Sequence, residues 1–174
     1  MRIFVIGEAR SGKSTAARFL AESMGYECAE TSELLIRELA KLYSAANGYV
    51  GGVETWAKLI AMGKSEFRKE LACIGDLCVS FSKTYLIDEC LKRAQIVVGV
   101  RRRSEVLGYF QNHGRQSWKS VWIKVVGPES GVTSSNYELQ GQPCDYLVTN
   151  SGDLNELKHK MFALARVLQA KSAA

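Results

Sequence analysis

Apolar residues fall in two rhythms along this chain: unbroken runs, and stripes spaced by three or four. Runs predict buried strands and stripes predict amphipathic helices. Ile3-Phe4-Val5-Ile6 makes a strand over 2–6. Ala16, Ala17, Phe19, Leu20 and Met24 mark the apolar side of a helix over 14–24, stopped by Gly25. A short strand follows at 26–29. Thr31 and Ser32 then cap a helix carrying Leu34, Leu35, Leu39 and Leu42. Gly48, Gly51 and Gly52 break the pattern. Helical spacing resumes near Glu54, and again from 65 to 94 with Gly75 as a bend. Within that stretch Leu86-Ile87-Asp88-Glu89 also has the look of a strand ending in two acids. Val79, Leu86, Ile87, Cys90, Leu91 and Ala94 fit a helical stripe better.

The run at 95–100 is continuously apolar, which suits a central parallel strand. A helix over 104–112 comes next. The segment 118–126 reads as a strand with Val121, Ile123 and Val125 on one face and Trp122 on the other. Residues 127–143 are polar and turn-rich, and 145–148 makes a last strand. Asp153 caps a final helix bearing Leu154, Leu157, Met161, Leu164 and Leu168, with 171–174 as a frayed tail. Strands alternating with helices predict an α/β fold, with a central, mostly parallel five-stranded sheet between helical layers. Ligands gather at the carboxyl ends of such strands. Here that edge holds the loop after Ile6, residues 30–32 and residues 99–103. No repeat or linker interrupts 1–174, which is read as one domain.

Gly7-Glu8-Ala9-Arg10-Ser11-Gly12-Lys13-Ser14 sits between the first strand and the first helix. It fits G-x-x-x-x-G-K-[ST] without mismatch, in the strand–turn–helix setting the motif requires. Gly7, Ala9, Arg10, Ser11, Gly12 and the helix start at Thr15 would present main-chain N–H groups to a polyphosphate. Lys13 would reach its β- and γ-phosphates, and the Ser14 hydroxyl would bind Mg²⁺. The expectation is a P-loop NTPase fold that binds ATP and Mg²⁺. The motif leaves the phosphoryl acceptor open.

A chain of 174 residues can bury a core without disulfides. Its five cysteines form no C-x-x-C pair and are expected as reduced thiols in a cytoplasmic protein. A zinc site is not expected. No apolar stretch is long enough to span a membrane, and no signal segment is read before the first strand. The net charge of +5 raises a nucleic-acid reading. No aromatic-rich basic strand accompanies it, so a small anionic nucleotide is the expected partner and nucleic acid is disfavoured. A homodimer is left open.

Two anionic substrates need two cationic sites. Arg37, Arg68 and Arg101-Arg102-Arg103 supply candidates for the second, because arginine's planar fork pairs with phosphate oxygens. With these residues in order, the chain resembles the nucleoside monophosphate kinases, in particular the phage deoxynucleoside monophosphate kinases and the dephospho-coenzyme A kinases. The segment 31–37 is similar to their acceptor-facing segment, and 67–71 with Gly75-Asp76 to the arginine-bearing helix of the phage enzymes. Val97 to Glu105 is similar to the strand ending in Asp-Val-Arg, and 146–154 to the closing strand and turn. The resemblance implies a helical acceptor region over 32–94 and a lid over 127–143. It implies acceptor binding by Arg37, Arg68 and Arg101, and catalysis by Lys13, Arg101 and Arg103. Asn150 lies in the turn that commonly meets adenine.

Two positions depart from that pattern. Gly99 stands where the family has an aspartate, and 127–143 carries no Lys or Arg. Arg10, Arg103 or Arg115 would have to replace a lid arginine. Three expectations follow: a nucleoside monophosphate kinase, an ATP-binding protein with a degenerate acceptor site, or an ATPase acting on a polymer or partner. The last requires a strand over 86–89.

Overall fold

The apolar run of β1 (Arg2–Ile6) forms the middle of a five-stranded, wholly parallel sheet. The chain is described by a computed structural model over residues 1–48, 50–113, 120–127, 138–139, 141 and 143–173. Along it follow α1 (Lys13–Met24), β2 (Cys28–Glu30), α2 (Thr31–Ala46), α3 (Gly52–Met62), α4 (Arg68–Phe81) and α5 (Tyr85–Leu91). Then come β3 (Ile96–Val98), α6 (Arg103–His113), β4 (Ser120–Val126), β5 (Tyr146–Thr149) and α7 (Leu154–Ala173). The strand order is β2-β3-β1-β4-β5. In register, Val5 stands between Val98 of β3 and Ile123 of β4.

Alternation along each strand sends side chains to two separate cores. Ile3, Val5, Ile96, Val98, Ile123 and Val125 pack under α1 and α7. Phe4, Ile6, Val97 and Trp122 face the other way, beneath Ile87 and Cys90 of α5 and Val106 and Tyr109 of α6. A third cluster lies off the sheet, where Ile36, Leu39 and Ala40 of α2 meet Ile60 of α3 and Leu71 of α4.

The α/β class, the central strands and the two-faced β4 match the periodicity, and Asp153 caps α7 by accepting the Glu156 N–H. Several boundaries differ. The helical stretch does not bend at Gly75. That glycine is buried inside α4 against Leu35, and the break comes at Ser82, whose extended backbone ends the helix. Residues 86–89 lie in α5, so the strand that the polymer-ATPase reading requires is not there. Leu42, expected in the core, is 60% exposed because α2 turns Ile36 and Ala40 inward instead. Glu30, not Thr31 or Ser32, is the cap position of α2. The expected frayed tail stays helical through Ala173. Strand β3 stops at Val98, because Gly99 adopts φ +93° and turns the chain. Arg115 and most of the expected lid (128–137, 140 and 142) lie outside the described residues.

Candidate active site

Strands β1 and β3 are neighbours, yet the helices that follow them, α1 and α6, cover opposite faces. A crevice therefore opens between their carboxyl ends. The β1 side of that crevice is the loop 7–14. Its sequence fits its shape at each tight position. Gly12 has φ +86°, and a Cβ there would stand 2.3 Å from the Asn150 amide nitrogen. A Cβ on Gly7 would stand 2.4 Å from the Val125 carbonyl oxygen. Arg10 is the one non-glycine residue with positive φ among those described, at 64°, and its side chain points into solvent.

The loop is braced from behind. Asn150 Nδ2 donates to the Ser11 carbonyl oxygen at 3.0 Å, and the Asn150 N–H donates to the Val126 carbonyl at 2.7 Å. Gly127 lies so close beneath that a Cβ would sit 2.7 Å from Ser11 Cα. Asn150, placed by resemblance near an adenine, thus has its amide engaged in holding the loop.

The front of the loop carries groups suited to an anion. Helix α1 begins at Lys13 with no side-chain cap, so its first N–H groups have no partner within the helix. Ser11 is buried, and its Oγ has no hydrogen-bond partner. Lys13 Nζ donates to the Glu8 carbonyl at 3.0 Å and closes the loop. Burial, then Arg101 and Lys64, push its pKa down to about 8, while Glu30 acts in the opposite sense. An ammonium with a lowered pKa beside other cations is a setting whose charge an anion would relieve.

Arg101 leaves the end of β3 on the far side of the crevice. Water reaches its side chain, yet enough protein walls it in to hold its pKa below the usual guanidinium value. Burial is the main cause. Glu105 opposes it, and Arg102 and Arg68 add to it. The structure thus sets Lys64 and Arg101 within electrostatic reach of Lys13, and Arg68 within reach of Arg101. Arg37 is not among them. It is 60% exposed and pairs with Glu54 at 3.4 Å. Arg103 points the other way, its Nε donating to the Glu138 carbonyl at 3.3 Å.

Some participants were not singled out from sequence. Glu105 is 2% exposed and accepts the N–H groups of Arg101 and Arg102 at 3.2 and 2.9 Å. It is the third residue of α6 reaching back to the cap N–H, but the cap is Arg102 and not Ser or Thr, so no capping-box signature marks it in the sequence. Burial pushes its carboxyl above the usual range, with those two N–H groups opposing. Glu30 ends β2 beside the crevice, where it accepts the Ser32 hydroxyl at 3.3 Å and lies 4.0 Å from Arg18. Lys64 donates to Ser32 Oγ at 2.9 Å. A separate cavity of about 660 Å³ between α6 and β4 is walled by Val106, Phe110, Trp122 and Leu139. It holds no cation and lies apart from this chemistry.

The sheet order and the phosphate loop together define a P-loop NTPase fold. Shikimate kinase from Aquifex aeolicus vf5 shares it, with a TM-score of 0.50 and 16% identity over 98% of each chain. A gluconokinase from Sinorhizobium meliloti 1021 superposes with a TM-score of 0.47 and 17% identity, over 98% of this chain and 97% of that one. In sequence, a shikimate kinase from Oleidesulfovibrio alaskensis is 56% identical over 36 residues. That match spans 21% of this chain and 21% of the relative. No family model matches the chain.

Proposed function

We propose that the chain is an ATP-dependent phosphotransferase acting on a (deoxy)nucleoside monophosphate. The observation that carries this reading is a series of cations, with Lys64 and Arg101 acting on Lys13 and Arg68 acting on Arg101, beside an uncapped helix start. One polyphosphate does not need cations on both walls of a crevice. Two anions that must approach each other do, because their repulsion has to be neutralised before the oxygen can attack.

Among the described residues, no three acids, histidines or cysteines converge on a metal position. Ser14 fits Mg²⁺ held mainly by the nucleotide itself, and the ion would supply charge neutralisation there. Loop amides and Lys13 would hold the β- and γ-phosphates. Arg68 and Arg101 would hold the acceptor phosphate. An oxygen of that phosphate attacks the γ-phosphorus in line, the bond to the β-phosphate oxygen breaks, and ADP leaves. The attacking oxygen is already anionic, so no base is required. Shikimate and gluconate, as hydroxyl acceptors, would instead need a base, and Glu30, which acts on Lys13 and keeps lone pairs beyond the one taken by Ser32, would be the group to supply it.

A second reading, ATP binding without transfer, rests on Gly99. Its φ is +93°, and a Cβ there would lie 2.8 Å from Thr31 Oγ1, so the family's aspartate has no room. A coupled assay decides between them, using AMP, dAMP, dGMP, dTMP, dCMP, dephospho-coenzyme A, shikimate and gluconate. Turnover of a nucleoside monophosphate, reduced about 10³-fold by Lys13→Ala, is expected. Turnover of shikimate or gluconate alone would move the acceptor to the hydroxyl class. ATP uptake with no turnover would establish the second reading.

A further inference from the structure

The three consecutive arginines after β3 divide their tasks. Arg101 stands in the crevice and Arg103 turns toward Glu138. Arg102 does neither. Only 15% of its side chain is exposed. Its Nη1 donates to the Gly75 carbonyl at 3.2 Å, and its Nη2 pairs with the Asp76 carboxylate. Both partners lie on α4, about two turns beyond Arg68. The guanidinium lies over the helix there, at ordinary contact distance: a Cβ at 75 would stand 3.7 and 3.8 Å from its two terminal nitrogens.

This contact spans two layers. Arg102 belongs to the β3–α6 turn, fixed to the sheet layer by Glu105 accepting its N–H. Helix α4 belongs to the off-sheet cluster, where it packs on α2. A mid-helix carbonyl already serves the helix ladder, so its second lone pair is what the guanidinium takes. Asp76 itself is 62% exposed, so the firmer hold is the part-buried bond to the Gly75 carbonyl, with the carboxylate adding a second, charge-assisted contact.

We propose that Arg102 is a positioning residue that fixes the width of the acceptor crevice. By tying α4 to the turn that bears Arg101, it holds Arg68 at a set separation from Arg101. This inference rests on the acceptor site proposed above. It adds that the separation of the two acceptor-binding arginines is controlled by a third that touches no substrate.

The test compares wild type, Arg102→Ala, Arg102→Lys and Asp76→Asn by amide hydrogen exchange and steady-state kinetics. Exchange over 68–81 is expected to rise about tenfold in Arg102→Ala, with β1, β3 and α1 unchanged. The acceptor KM is expected to rise roughly ten- to hundredfold, while the ATP KM and kcat hold. Arg102→Lys, which can keep one contact, and Asp76→Asn should fall between. Unchanged protection of α4 would overturn the proposal. So would a loosened α4 with an unaltered acceptor KM, or exchange that rises equally throughout the chain. Should wild type turn over no acceptor, the kinase reading fails, and the exchange result alone decides whether Arg102 holds α4.

Discussion

At Lys13 the ammonium shares a recess with Arg101 and Lys64, and its pKa is lowered to about 8, by burial first. In the unfolded chain the same group keeps its proton up to the ordinary lysine value of 10.5. Between those values the unfolded state binds more protons, so the stability of the ligand-free chain rises with pH across that window. A bound polyphosphate reverses the local field and restores the proton. Mg·ATP uptake at about pH 8.5 should therefore draw a fraction of a proton from the buffer. Calorimetry in two buffers of different ionisation enthalpy measures it directly. Identical apparent enthalpies would contradict the depressed pKa. The residues that set this field were partly legible. Lys13 and Ser14 announce themselves, because a phosphate loop is a local motif. Glu30 falls on the strand edge where ligands gather, but its action on Lys13, like that of Lys64, is not legible, because the end of β2 and the turn after α3 bring them to the loop from far away in sequence.

Turns between elements show where local reasoning stops. The order of strands and helices could be read from periodicity, since each element's apolar face is a property of its own residues. The break at Ser82 could not, because no glycine or proline marks the place where its backbone turns extended. Gly75 has the opposite lesson. A helix-weakening residue stays inside α4, in contact with Leu35 and Arg102, because propensity is a weak local preference that tertiary packing overrides. Gly99 ends β3 for a reason visible only in three dimensions: Thr31 of α2 donates to its carbonyl at 3.0 Å and leaves no volume for a Cβ. Placing at this turn, by Gly99→Asp, the acid that the resemblance to nucleoside monophosphate kinases implies is therefore expected to destabilise the chain by about 1–3 kcal/mol rather than improve catalysis. Urea unfolding with a parallel rate measurement tests this. A stable and faster variant would show that the turn tolerates the side chain.

Across the whole molecule, the sheet layers and the off-sheet helices keep separate cores, and damage to each should have different reach. Phe4 lies fully buried, stacked on Trp122 with centroids 4.2 Å apart and edge-on to Tyr109 at 4.8 Å. Phe4→Ala should cost about 3–5 kcal/mol, a large part of a domain's total stability. Tyr43 packs between Trp56 and Phe67 on the helical side. Tyr43→Ala should lower the urea midpoint less and leave ATP uptake intact, and a loss of ATP uptake would show that the two regions do not behave independently. The same partition gives the chain two native reporters. Trp122 is sunk in the sheet layer, whereas Trp56 is half-exposed and donates its indole N–H to the Val50 carbonyl at 3.1 Å. With Trp118 changed to phenylalanine, the emission of one indole follows the nucleotide-holding layer and that of the other follows the helices carrying Arg68. Nucleotide entry and acceptor entry then become separable optical signals, recorded without attaching a dye.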